Sequence, residues 1–251
     1  MEKIIIIQSV IIILLIGIII YNSANKTKTN VNVKPASIPL TTEKIFNNKP
    51  QTKNILIIGN SISIHGICEY WWGNWGMAAS SKEKDYAHIL ANKISKDNNV
   101  NLAITNYALW EVNSHDRSEF LDLLKPILEY KYDYIIIQLG ENITKDTKTL
   151  VSDFSSLVNY ISNNNKKSKI VVIGNFWKNK KIDKIKIDIS NRYKLSYVDL
   201  KEIQNKKYQA GIGYKVCDNN SEHFVEHDGV AKHPNDLAMQ YIADKIYEKI
   251  N

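Results

Sequence analysis

Three short polar stretches have the residue types that acyl transfer needs. The first is "GNS", Gly59 to Ser61, which closes the apolar run "ILII" at 55–58. The second is "GEN", Gly140 to Asn142, directly after "YIIIQL". The third is "HPND", which starts at His233 just ahead of the last amphipathic segment. Acyl transfer requires a nucleophile, a base and N–H donors for the oxyanion. Ser61 offers a hydroxyl and Asn142 a side-chain N–H. The base must be one of six histidines: His65, His88, His115, His223, His227 and His233. His233 stands out because it lies on a late loop that can fold back over a sheet. Read alone, Ser61 is better explained as a helix N-cap. Asn142 and His233, in this order along the chain, shift the balance to a nucleophile.

These residues need elements to bring them together. "NILIIG" is a short continuous apolar run, as expected of a strand buried on both faces. Further strands are expected at "NLAITNYA", "YDYIIIQLG", "SKIVVIGNF" and "LSYVDL". Helical spacing separates them: "SSKEKDYAHILANKISKD" with a capping box at Ser80 and Glu83, "HDRSEFLDLLKPILEYK" broken at Pro126, residues 146–163, roughly 180–194, and a closing "NDLAMQYIADKIYEKI". Strands alternating with helices predict an α/β domain with a parallel sheet of about five strands. The stretch from about 200 to 233 has no clear period and reads as long functional loops. In open α/β sheets ligands sit beyond the carboxyl ends of the strands. "GNS", "NYALWE" at 106–111, "GEN" and "GNFW" at 174–177 all fall on that edge.

With these motifs in this order, the chain resembles the SGNH (GDSL-type) hydrolases over about residues 54–251, with Gly-Asn-Ser first, Gly-Glu-Asn after the third strand, and Asp-Gly-Val…His-Pro-Asn before the final helix. The resemblance implies a flavodoxin-like three-layer α/β/α fold and hydrolysis of acyl esters, commonly of sugars or lipids, with no metal or organic cofactor. It makes Ser61 the nucleophile, with Asn60 where Asp is commoner, and its own N–H one oxyanion donor. It makes Asn142 the oxyanion asparagine and His233 the base. Two positions depart from the pattern. The block-two glycine that supplies a backbone N–H is replaced by Trp110 or Glu111. The acidic residue three before the histidine is Val230, so Asp228 is the expected partner of His233 and Glu226 the next candidate. The alternative is a Ser-His dyad whose ring is oriented by a backbone carbonyl.

Other chemistries fit less well. His223, His227, Asp228 and His233 could ligate a metal, but their spacing matches no usual zinc pattern. "GNSISIHG" has neither a GxGxxG pattern nor a P-loop ending. The insert "CEYWWGNWGMAAS" at 68–80 places Trp71, Trp72 and Trp75 between Ser61 and the first helix. They read either as a local core or as an aromatic substrate wall that suits a sugar face or an acyl chain.

The chain has 251 residues, 44% hydrophobic and 24% charged, as in an ordinary globular protein. Ile4 to Ile20 carries no charge over 17 residues, about 25 Å as a helix, which suits a short transmembrane span. Only Ala24 offers a poor cleavage site, so residues 1–21 are expected to be an uncleaved anchor. Lysines on the far side of the span argue for a cytoplasmic domain. The short tail ahead of the apolar segment argues for export, and an extracytoplasmic domain is the expectation. Residues 22–53, rich in Asn, Thr and Lys with three prolines, read as a flexible linker. Residues 1–53 hold +5 of the net +7. The folded part is thus nearly neutral, which gives nucleic-acid binding little support. Basic residues beside the span suit anionic head groups. Cys68 and Cys217 are too few for a disulfide scaffold, though in an exported protein they could form one bridge. The expectation is a membrane-tethered serine esterase acting on O-acyl, perhaps O-acetyl, groups of cell-surface carbohydrate. An O-acyltransferase using the same site, or a non-catalytic surface-binding module, are the alternatives.

Overall fold

The computed structural model describes residues 41–46, 49–113, 116–144, 148–218 and 221–251. The expected anchor at 1–21, most of the expected linker, and His115 lie outside them. Among the described residues no helix is long and apolar enough to cross a membrane.

A six-stranded sheet forms the centre. Its strands are β1 (Thr42–Ile45), β2 (Thr52–Gly59), β3 (Asn99–Asn106), β4 (Tyr134–Ile137), β5 (Lys169–Ile173) and β6 (Ser196–Val198), in the order β1-β3-β2-β4-β5-β6. β2 to β6 are mutually parallel, the five strands expected. Their order is the flavodoxin-like one, with its switch point between β2 and β4, the two strands that end in "GNS" and "GEN".

Alternation along the strands supplies both faces. Ile55, Ile57, Leu102, Ile104, Ile136, Val171 and Ile173 point to one side, in the core cluster with helices α1 (Tyr86–Ile94) and α7 (Asp236–Ile250). Leu56, Ile58, Ala103, Ile135, Ile137, Ile170 and Val172 point to the other, with the 3₁₀ segment Arg117–Leu124 and helices α3 (Lys125–Leu128), α4 (Leu150–Asn164) and α5 (Lys180–Arg192). This is the three-layer α/β/α arrangement. Helix α2 (Ala108–Val112) follows β3 and helix α6 (Asp228–Ala231) precedes α7.

Three local expectations are corrected. The stretch read as linker up to residue 53 contains β1 and the start of β2. β1 is an antiparallel edge strand paired to β3, with Thr42 opposite Thr105 and their hydroxyls 3.0 Å apart. Three of its four residues are exposed, so it lacks the apolar pattern that marks a buried strand. Ser80 does not cap α1. Its N–H and hydroxyl both donate to Asp236, at 2.8 and 2.6 Å, and Asp85 caps the helix by accepting from the His88 N–H at 2.8 Å. The aperiodic stretch 200–233 contains a small hairpin, β7 (Lys215–Cys217) with β8 (Glu222–Phe224). Cys68 and Cys217 are separate thiols. The insert and the hairpin are joined instead by the Cys217 N–H to the Ser80 carbonyl at 2.7 Å and by Trp72 stacked on His223 at 4.5 Å.

Candidate active site

β2 leads directly into the turn that carries Ser61. A side chain at Gly59 would collide with Ser63, its Cβ only 1.9 Å from Oγ, so only glycine fits there. The Asn60 carbonyl accepts from the N–H groups of Ser63 and Ile64, at 2.9 and 3.0 Å. Its side-chain oxygen accepts from the Ile62 N–H at 3.1 Å. Asn60 therefore does the local capping, and the Ser61 side chain is left for other work. Its Oγ lies 2.8 Å from His233 Nε2.

His233 is held from three sides. Its Nδ1 meets the Gly229 carbonyl at 2.8 Å, and its own N–H donates to the Val230 carbonyl at 2.9 Å. Trp177 packs edge-on against the ring, with centroids 5.0 Å apart, and is pinned by its Nε1–H to the Lys232 carbonyl at 3.0 Å. A carbonyl only accepts, so Nδ1 carries the proton and Nε2 offers its lone pair to Ser61. Burial pushes the ring's pKa down to about 4, outweighing the Gly229 bond, so the ring is neutral at neutral pH and able to accept a proton.

Asp228 does not take the role expected of it. It is exposed at the start of α6, and Nδ1 is occupied by the carbonyl of the next residue. Glu226 is exposed as well. The Ser-His dyad with a backbone carbonyl is the arrangement present. Among the described residues no group of three or more His, Cys, Asp or Glu side chains could hold a metal ion.

Asn142 lies on the loop after β4, half-buried, and its Nδ2 donates to Glu111 Oε2 at 2.5 Å. Glu111 was expected to offer its backbone N–H; here its side chain reaches the site. Oε1 accepts from the N–H of Gly140 at 2.5 Å and from Asn60 Nδ2 at 3.2 Å. The helix carrying it is anchored by buried Arg117, whose guanidinium donates to the carbonyls of Trp110 and Glu111, at 3.0 and 3.2 Å, and pairs with Asp153 at 2.8 Å. Glu141 completes the cluster: it accepts from Asn60 Nδ2 at 2.9 Å and from the Phe176 N–H at 3.1 Å. All four polar sheet ends are thus tied into one network. Desolvation, then the charge of Glu141, pushes the Glu111 carboxyl up to about 7 against its N–H donors. Gly140 sits at φ +133°, and a Cβ there would fall 2.5 Å from Asn175 Oδ1, so the approach of these loops depends on glycine.

The three insert tryptophans separate. Trp71 and Trp75 are core residues, 0% and 7% exposed and packed edge-to-face on each other, which corrects their reading as a substrate wall. Trp72 is half-buried against His223, and Tyr70 stacks on His227 at 4.2 Å. The aromatic ring beside the base is Trp177, from the fourth sheet end. Its position in "GNFW" placed it on the functional edge, but nothing in the sequence tied it to His233.

No protein-family model matches the chain, and no curated protein does. Solved structures do. A family two carbohydrate esterase from Clostridium thermocellum in complex with cellohexaose has a TM-score of 0.52 at 16% identity, over 82% of this chain and 66% of that one. A two-domain esterase active on acetylated mannans has a TM-score of 0.52 at 16% identity, over 78% and 49%. A salicylyl-acyltransferase from a tetracycline biosynthetic pathway has a TM-score of 0.50 at 13% identity, over 81% and 56%. The chain spans about half to two thirds of the length of these three. At such identities the likeness is one of fold, the three-layer α/β/α fold expected from the motifs.

Proposed function

We propose that this chain is a serine esterase that removes O-acyl groups, O-acetyl groups foremost, from carbohydrate. The observation that carries this reading is the 2.8 Å contact between Ser61 Oγ and the unprotonated nitrogen of His233, whose tautomer is fixed by the Gly229 carbonyl. In the reaction Ser61 Oγ attacks the ester carbonyl carbon while its proton passes to Nε2. The oxyanion is received by the Ser61 N–H and the Asn142 side chain. His233 returns the proton to the leaving alcohol, and the acyl-enzyme forms. A water then attacks, giving its proton to Nε2, and the acid leaves. Esters of sugars are favoured by the carbohydrate esterases that share the fold, and by Trp177, whose ring beside His233 suits a pyranose face.

A sugar hydroxyl taking the place of water would make the same site an O-acyltransferase. The shared fold of the salicylyl-acyltransferase supports keeping that reading. A non-catalytic binding module is favoured by one observation, the Glu111 carboxylate occupying an N–H of Asn142. The apolar run Ile4–Ile20 supports a domain tethered to a membrane and exported across it.

The test compares the protein with Ser61→Ala on small acetyl esters and on acetylated polysaccharides. Loss of at least about 10³-fold in kcat/KM is expected. Equal hydrolysis by both forms would refute the nucleophile. Failure of the unaltered protein both to turn over and to be labelled by a fluorophosphonate would favour the binding module.

A further inference from the structure

Glu111 is 1% exposed, yet both of its carboxylate oxygens meet N–H donors. Oε2 accepts from Asn142 Nδ2; Oε1 accepts from the N–H of Gly140, from Asn60 Nδ2, and at 3.5 Å from the N–H of Asn142. A donor set of this kind is satisfied on both oxygens only by the ionised acid. The side-chain amide of Asn142 has two hydrogens in one plane. Spending one on Oε2 fixes the plane and the direction of the other. The same carboxylate grips Asn60, whose amide oxygen holds the turn that presents Ser61.

The charges facing Glu111 come from several elements. Glu141, after β4, shares Asn60 Nδ2 with it. Lys186 of α5 is fully buried, donates to the Ile173 carbonyl at 2.8 Å, and lies against Gly140, 2.9 Å from where a Cβ would be. Asp183, on the same helix, accepts from the Asn175 N–H at 2.7 Å and adds negative charge near Lys186. Arg117 holds the main-chain carbonyl of Glu111 itself. His233 meets Ser61 Oγ at 2.8 Å.

We propose that Glu111 is a positioning residue acting through its side chain: the ionised carboxylate orients the Asn142 amide toward the oxyanion and steadies the Ser61 turn, and its protonation releases both. Glu111, not His233, then sets the acid limb of the activity. This rests on the esterase reading. The two acids are far enough apart to distinguish, with Glu111 raised to about 7 and His233 lowered to about 4. As pH falls from 8, Glu111 takes up its proton first while His233 is still a competent base. Below about pH 7, kcat/KM falls about tenfold per pH unit until it reaches the level of a protein with an uncharged residue 111.

The experiment has two arms, both on the full chain in detergent. In the first, pH profiles of kcat and KM on a small acetyl ester are compared for the unaltered protein and Glu111→Gln. The variant is expected to lose about 10²-fold in kcat with little change in KM, since the oxyanion exists only in the transition state. Its acid limb should move down from near 7 toward that of His233. An unmoved limb overturns the proposal. In the second arm, the side-chain amide resonances of Asn142 and Asn60 are followed by ¹H–¹⁵N NMR across pH 5 to 9. They should titrate together near pH 7 in the unaltered protein and stay flat in Glu111→Gln. Flat resonances in the unaltered protein overturn the proposal even if no ester is turned over. Absence of turnover with titrating amides refutes the esterase reading and leaves the Glu111 network standing. If Glu111→Gln does not fold, the titration in the unaltered protein decides alone.

Discussion

Replacing both acidic residues near the base, Asp228→Asn with Glu226→Gln, separates a triad from a dyad by a wide margin. Removing the carboxylate of an Asp-His pair costs about 10⁴-fold in kcat, or about 5.5 kcal/mol. Here Nδ1 of His233 is already taken by the Gly229 carbonyl at 2.8 Å, and both acids are exposed. What remains is the weak interaction of an acid with the first turn of a short helix, about 0.3–1 kcal/mol. The double variant should therefore retain kcat/KM to within about 5-fold. Gly229→Ala is the contrast. Its Cβ would fall 2.8 Å from His227 Cε1, the end of an exposed ring that can swing aside, so a loss beyond that of the double variant would report a shift of the segment carrying the orienting carbonyl. The assay is steady-state hydrolysis of a small acetyl ester, with circular dichroism to verify the fold. A loss beyond about 100-fold in a folded double variant would refute the dyad and restore a carboxylate to the site.

Two further outcomes are expected. His88 is largely buried; burial alone would lower its pKa, but Asp85 at 2.8 Å and Glu43 at 3.6 Å hold it up at about 9. Its contribution to stability, about 3 kcal/mol, is fully present below its unfolded value near 6.5 and lost as pH rises through 9. Urea midpoints of the unaltered protein and His88→Gln should therefore converge between pH 6 and 10; a constant difference would sink the assignment. For the membrane, external protease added to intact cells should cut within residues 22–40 and release the domain. Protection in intact cells but cleavage after lysis would place the domain inside.

The parallel strands were legible because burial on both faces leaves uninterrupted apolar runs, as in Ile55–Ile58 and Tyr134–Ile137. The same logic hid β1. An edge strand with one neighbour, pattern exposed-half-exposed-exposed, has almost nothing to bury. Ser61, Asn142 and His233 were legible because the residue types are few and the sheet edge is a fixed place. Their partners were not. A backbone carbonyl has no residue type, so nothing in the sequence could prefer Gly229 to the nearby carboxylate of Asp228. Trp71 and Trp72 are adjacent and identical in letter, and only the packing sends one into the core and leaves the other against His223. Glu111 looked like a defect, a bulky residue where a glycine N–H was wanted. Its side chain turns inward, and the defect becomes the link between Asn60 and Asn142.

β1 has a geometric consequence. It runs antiparallel to β3, so its first residue, Thr42, pairs with Thr105, one short of the end of its neighbour. The Thr41 carbonyl accepts from the Asn106 N–H at 2.8 Å, and Asn106 in turn donates to the Ile64 carbonyl in the loop after Ser61. Thr41 thus lies at the rim that bears Ser61. Whatever holds residue 41 holds that rim. Thr41 and the loop after Ser61 therefore share one end of the described domain, and a change that broke the Thr41–Asn106 bond would be felt in that loop before any contact in the site had changed.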